Sequence, residues 1–154
     1  MPAIYHIESS GTVFDTKTGG EKRKQEVNFG LGTGFGVTKD GFVLTKMHLV
    51  NPGFEKIPAR FVGSNTLEYA NGDSIKMVLT LTAFDGTRYT ANIVGGDPND
   101  SVDLALLKIV DIKKTEFPFL VIADKISGYD AVMSIGSPLG LSFSVGEGIV
   151  SNPN

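Results

Sequence analysis

The chain has no cysteine among its 154 residues. That excludes disulfides, thiol catalysis and thiolate metal sites, and it is compatible with either redox environment. Histidine is nearly as scarce: His6 and His48 are the only two, far apart in sequence. Metal binding therefore has little support, and no metal or cofactor is expected. An excess of positive charge is also missing. Lys and Arg total 14 against 17 Asp and Glu, a net charge of -3, which argues against a nucleic-acid surface, since that needs a clustered basic stripe. No apolar run approaches the roughly 18 residues of a membrane span. The opening M-P-A-I-Y-H-I-E lacks a basic region followed by an apolar stretch, so no signal peptide is expected there and the compartment is left open. Apolar periodicity near 3.6 is not sustained over ten residues anywhere, so no helix is predicted beyond a turn after His48.

What the chain does have is 41% hydrophobic residues, 20% charged residues, 19 Gly and 7 Pro, with frequent Thr and Val. This composition predicts a real core and an all-β fold with many turns. The length suits one domain, or a small domain plus part of another. Strands are predicted at residues 3–8, 35–37, 42–45, 75–84, 87–94, 102–109, 119–123, 131–135 and 143–150. Residues 9–26 read as a polar loop carrying the charge run Glu21-Lys22-Arg23-Lys24, and residues 51–74 read as a long connection. A connection of that length is usually functional or an insertion. The glycines at 30, 32, 34 and 36 read as strand kinks, because no Lys-Ser/Thr follows at phosphate-loop spacing.

Two positions invite chemistry. Residues 30–50, G-L-G-T-G-F-G-V-T-K-D-G-F-V-L-T-K-M-H-L-V, read as a hairpin turning at Asp40-Gly41. An Asp-Gly pair between apolar runs is a strong hairpin signal. The hairpin delivers His48 just past a strand end. Asp103 opens the apolar run L-A-L-L-K-I, where burying it would cost several kcal/mol unless the charge is paired. A carboxylate that accepts the Nδ1–H of a histidine fixes its tautomer and stabilises the imidazolium formed in proton transfer. Taken singly, His48 could be a packing histidine and Asp103 a capping residue. His6 reads as a half-buried strand histidine.

Together these segments resemble the HtrA/Deg group of trypsin-like serine proteases. G-T-G-F-G-V-T-K-D-G-F-V-L-T-K-M-H-L-V is similar to the segment around that group's catalytic histidine, with Lys46 where an Asn is usual. V-G-G-D-P-N-D-S-V-D-L-A-L-L-K-I is similar to the segment holding the triad aspartate, at Asp103. A-V-M-S-I-G-S-P-L-G-L-S-F-S-V-G-E-G-I-V-S is similar to the start of the second barrel. The three blocks come in the family's order and run from about residue 32 to residue 151.

The resemblance implies a trypsin-like antiparallel β-barrel at residues 1–116 and the incomplete start of a second barrel at residues 117–154. It implies a serine endopeptidase acting on proteins or peptides, with His48 as general base and Asp103 as its orienting carboxylate. Members are often periplasmic or secreted. The family's nucleophile motif G-N-S-G-G is absent from these 154 residues, as is any G-x-S-x-G. The nucleophile and the oxyanion-hole loop are thus expected to lie outside the chain, which alone should be inactive. Ser137 occupies a turn of G-S-P-L-G, and Ser64, Ser74, Ser142 and Ser144 have no supporting context. The cut barrel is expected to associate with another copy or with a complementing C-terminal chain. Two other readings stay open: a non-enzymatic barrel that binds peptides or partner proteins, and an unrelated barrel in which His48 and Asp103 lie far apart.

Overall fold

In the computed structural model, residues 3–15, 23–51, 57–110, 113–137 and 143–153 are described. Ten strands run in chain order: β1 (Ile4–Asp15), β2 (Arg23–Gly36), β3 (Phe42–Thr45), β4 (Ala59–Val62), β5 (Thr66–Tyr69), β6 (Ser74–Ala83), β7 (Arg88–Gly95), β8 (Ala105–Ile109), β9 (Ala131–Gly136) and β10 (Ser144–Ile149). Among the described residues one 3₁₀ turn, η1 (Met47–Leu49), interrupts them. No α-helix occurs among the described residues, and none of their helices is long and apolar enough to cross a membrane.

Six antiparallel strands close on themselves in the order β1-β2-β3-β8-β7-β6, with β6 pairing back to β1. Closure leaves these strands no open edge. Alternation along each strand decides what points inward. In β6, Ile75, Met77, Leu79 and Leu81 are buried while Lys76 and Val78 face solvent. Tyr5 and Ile7 of β1, Tyr89, Ala91 and Ile93 of β7, and Leu107 and Ile109 of β8 meet them in one core. Each large apolar side chain fully buried there contributes about 1.5–3 kcal/mol.

The barrel is larger than the sequence pattern suggests. Residues 9–15 and 23–26, expected to be loop, belong to β1 and β2, and their ladder runs from Ile4↔Phe35 to Asp15↔Arg23. β1 also pairs along β6 from Tyr5↔Ala83 to Phe14↔Ser74. The polar residues of this stretch hid a strand because backbone pairing on both sides, not an apolar face, holds it. Gly11 shows how close that pairing is. A Cβ built there would lie 2.2 Å from the Lys76 carbonyl oxygen and 2.9 Å from Met77 Cα. The glycines expected as kinks lie in β2, and a Cβ at Gly34 would meet Ile7 Cδ1 at 2.7 Å and the Leu44 carbonyl oxygen at 2.9 Å. Half of the charge run, Glu21 and Lys22, lies outside the described residues.

The expected long connection at residues 51–74 is a second correction. Residues 52–56 lie outside the described set, but the rest contains the β4–β5 hairpin, whose register runs from Ala59↔Tyr69 to Val62↔Thr66. β5 pairs with the first residues of β6, Thr66↔Lys76 to Glu68↔Ser74, and β7 takes over that same edge from Leu79↔Ala91 onward. Asn65 closes the seam between them. Its side chain accepts from the Ile93 N–H at 2.8 Å and donates to the Ala91 carbonyl at 2.9 Å.

Phe117 is buried in the core, with its N–H on the Lys39 carbonyl. Residues 119–123, expected as a strand, form no ladder, and Leu120 donates its N–H to the Gly36 carbonyl. β9 and β10 then pair only with each other, from Ser144↔Gly136 to Ile149↔Ala131. Their side chains are largely exposed, among them Met133, Val145 and Ile149.

Candidate active site

η1 begins where β3 ends. Leu49 N–H bonds the Lys46 carbonyl, and the N–H groups of Val50 and Asn51 both reach the Met47 carbonyl. Met47 and Leu49 are buried and anchor the turn, leaving His48 between them pointing outward. Its side chain is 57% exposed. This follows from the sequence M-H-L: two apolar residues flank one polar residue on a tight turn, so only the middle one is turned to solvent.

Asp103 comes from the far end of a loop at residues 96–104. The carboxylate grips His48 twice. Oδ1 accepts the His48 backbone N–H at 2.9 Å, and Oδ2 lies 2.8 Å from ring Nδ1. The contact removes the reading in which the two residues lie far apart. With a carboxylate on Nδ1, that nitrogen carries the proton, which leaves Nε2 to exchange a proton with a third group. The Lys46 ammonium lies 3.9 Å from the same Oδ2.

One expectation about Asp103 is corrected. It precedes β8 rather than opening it, and its side chain is 41% exposed rather than buried. The alternation that points Ala105, Leu107 and Ile109 inward starts only after it. Partial desolvation pushes the carboxyl's pKa up. The hydrogen bonds from the His48 backbone and ring, with the charges of His48 and Lys46, outweigh that and hold it below the usual carboxylate range.

The loop carrying Asp103 is itself held down. Gly96 has φ +109, and a Cβ there would strike Met47 Cε at 2.6 Å and the Leu104 carbonyl oxygen at 2.7 Å. Only glycine lets the loop lie this close to η1 in that conformation. Asp97 accepts the Asn99 N–H and Asp100 the Val102 N–H, closing two successive side-chain turns. Asn51, 5% exposed, donates to the Pro98 carbonyl at 3.3 Å and accepts from the Tyr69 hydroxyl at 2.8 Å. Burial raises the pKa of Tyr69, so its hydroxyl remains a donor. Beside the pair lies a surface pocket of about 380 Å³ lined by His48, Asn51, Asp100, Ser101 and Asp103, among others.

The other weighed residues lie elsewhere. His6 is buried in β1, with Nδ1 lacking a hydrogen-bond partner. Ser137 is buried with its hydroxyl unpaired, and Ser142 lies outside the described residues. Among the described residues no group of three or more His, Asp or Glu could hold a metal ion. Asn51, Tyr69 and Asn99 contribute to the site and were not singled out from sequence. Asn99 sits in the turn-rich G-G-D-P-N-D, where an Asn reads as turn chemistry, and no local signal distinguishes a carboxamide that pairs with a strand edge.

A closed six-stranded antiparallel barrel presenting a histidine clasped by an aspartate at one rim defines a class, and sequence comparison agrees. A family model described as the trypsin-like peptidase domain matches residues 32–154. The chain belongs to the trypsin-like peptidase family and, by the relatives it matches, to its HtrA/Deg-like branch. Among those relatives is a probable periplasmic serine endoprotease DegP-like of Chlamydia trachomatis, 34% identical over 133 residues, which cover 85% of this chain and 21% of that protein. A protein of the same description from Brucella suis is 34% identical over 122 residues, 78% of this chain and 19% of the relative. The magnetosome formation protease MamE of Paramagnetospirillum magneticum is 31% identical over 121 residues, 79% of this chain and 14% of its own length. The chain thus spans about a fifth of the length of the DegP-like relatives it matches.

Proposed function

We propose that this chain is the N-terminal part of a DegP-like serine endopeptidase that cleaves peptide bonds in proteins. The observation that carries the reading is the 2.8 Å approach of His48 Nδ1 to Asp103 Oδ2, reinforced by the bond from the His48 backbone to the other carboxylate oxygen. In the proposed reaction Asp103 holds the ring with Nδ1 protonated. His48 Nε2 takes the proton of an attacking serine hydroxyl, then returns it to the leaving amine. The imidazolium formed between those steps is stabilised by the carboxylate.

The attacking serine and the N–H groups of an oxyanion hole are proposed to come from beyond residue 154. In support, G-N-S-G-G is absent from the sequence, and the chain corresponds to about a fifth of its DegP-like relatives. On this reading residues 1–116 form the first barrel and residues 117–154 the opening of a second. The 154-residue chain alone is inactive, and the open edges of β9 and β10 are completed by a further segment, by a complementing chain or by a second copy.

The test is casein hydrolysis by a protein in which this segment is extended through its downstream coding sequence. The extended protein is expected to hydrolyse casein, and Asp103→Asn is expected to lower kcat by about 10⁴-fold through loss of the correct tautomer. An extended protein that binds casein and never cleaves it would favour a non-enzymatic binding barrel instead.

A further inference from the structure

We propose that the β4–β5 hairpin, which lies outside the closed barrel, is a positioning element for the His48–Asp103 pair, acting through the carboxamides of Asn51 and Asn99. Its consequence for catalysis rests on the proton-transfer role proposed above for the pair; the geometric claim does not.

The pair is made by two segments: η1, which follows β3 and carries His48, and residues 96–104, which precede β8 and carry Asp103. The Thr45↔Ala105 pairing and the close approach of Gly96 to Met47 tie the two segments on one side; the hairpin ties them on another. Asn51, three residues after His48, binds both sides of the gap. Its backbone N–H bonds the Met47 carbonyl, its Nδ2 reaches the Pro98 carbonyl, and its Oδ1 accepts the hydroxyl of Tyr69 at the end of β5. Asn51 and Tyr69 are 5% and 4% exposed, so these bonds are shielded from competing water and an unmade one is costly.

Asn99, four residues before Asp103, acts in parallel. Its carboxamide mimics a paired strand residue at the outer edge of β4, accepting the Ala59 N–H at 2.8 Å and donating to the Ala59 carbonyl at 2.7 Å. The hairpin therefore grips the Asp103 loop through Asn99 and the His48 turn through Tyr69 and Asn51. It is fastened at its other end by Asn65 to β7 and by the pairing of β5 with β6. The barrel's rigidity is carried through the hairpin to both loops. A loose insertion would need none of these bonds.

Tyr69→Phe removes the bond to Asn51 and Asn99→Ala the bonds to Ala59. The readout is the ring ¹⁵N spectrum of His48 in the 154-residue chain at a pH where the imidazole is neutral, with His6→Gln used to assign the signals. Wild type is expected to show the Nδ1–H tautomer in excess, because Asp103 accepts that proton. Each variant is expected to lower the ratio of Nδ1–H to Nε2–H roughly fivefold, the ratio equivalent to one net hydrogen bond. The circular dichroism of the barrel should be unchanged. An unaltered ratio in either folded variant would overturn the proposal, and Asn99→Ala, on a part-buried link, decides it if Tyr69→Phe does not fold. Absence of the Nδ1–H excess in wild type would instead refute the reading of the pair itself, so the two failures are distinguishable.

Discussion

At the scale of single residues, what matters is how few atoms set the chemistry. Asp103 is an exposed carboxylate that uses both oxygens on one histidine. Its pKa is lowered despite partial desolvation, because His48 and Lys46 favour the charged form more strongly. A carboxylate depressed in the folded state stabilises the fold above the unfolded-state value of roughly 3.9, and that contribution is lost as pH falls through the folded value. The clasp should therefore persist below pH ~4 and open only in stronger acid. A ¹³C titration of the Asp103 carboxyl is expected to inflect below the ordinary aspartate value, and His48→Ala should move the inflection upward. An inflection at the ordinary value in wild type would show that the clasp is not populated in solution. The associated stability is small, since exposed pairs are screened.

At the scale of elements, legibility depended on the kind of force involved. β3 was readable to the residue because an Asp-Gly turn and an apolar run both announce it. β6 and β7, joined through Asp85-Gly86, were readable for the same reason, and β8 lies wholly within the predicted 102–109, which began three residues early. The distal halves of β1 and β2 were not, since Ser9–Asp15 have the composition of a loop and are held by ladders on two flanks. The β4–β5 hairpin was hidden because its strands are four residues long and rely on Asn65 and Asn99 for fastening. His48 and Asp103 were legible as candidates by resemblance. Their pairing was expected from the same reading and is observed, although 55 residues separate them; what the sequence did not show is the second grip, on the His48 backbone N–H. Residues 119–123 misled in the opposite direction, being apolar without a partner strand.

The two-sided pairing of β1 can be tested directly. Gly11→Ala forces a methyl against the Lys76 carbonyl and Met77 Cα, both backbone atoms of β6 that cannot rotate away. The expected loss is about 1–3 kcal/mol, the range for overpacking, measured by urea denaturation. Gly148→Ala in β10, where the nearest atom is Val132 Cγ2 at 3.9 Å, should change stability by less than about 0.5 kcal/mol. Equal effects at the two sites would contradict a close β1–β6 approach.

At the scale of the whole molecule, the described structure is unequal in its two parts. β1–β8 enclose a core, whereas β9 and β10 form a two-stranded sheet with both outer edges open. Two-stranded hairpins are marginal by themselves, and open apolar edges invite pairing. Tyr129, Met133, Val145 and Ile149 add exposed apolar surface on and next to those strands. The 154-residue chain is therefore expected to elute with light-scattering masses above the monomer, and a Lys substitution at Val145 should reduce the association. A clean monomer at all concentrations would show that neither a second copy nor a complement is needed.

The central claim is that His48 and Asp103 are two thirds of a triad whose serine lies outside these residues. A fluorophosphonate probe, which labels only an activated serine, tests it most directly. The 154-residue chain should take up no label, the chain extended through its downstream coding sequence should be labelled on one serine beyond residue 154, and His48→Ala should abolish that labelling. Labelling of any serine within the 154 residues, or labelling of the extended protein that is indifferent to His48→Ala, would contradict the account.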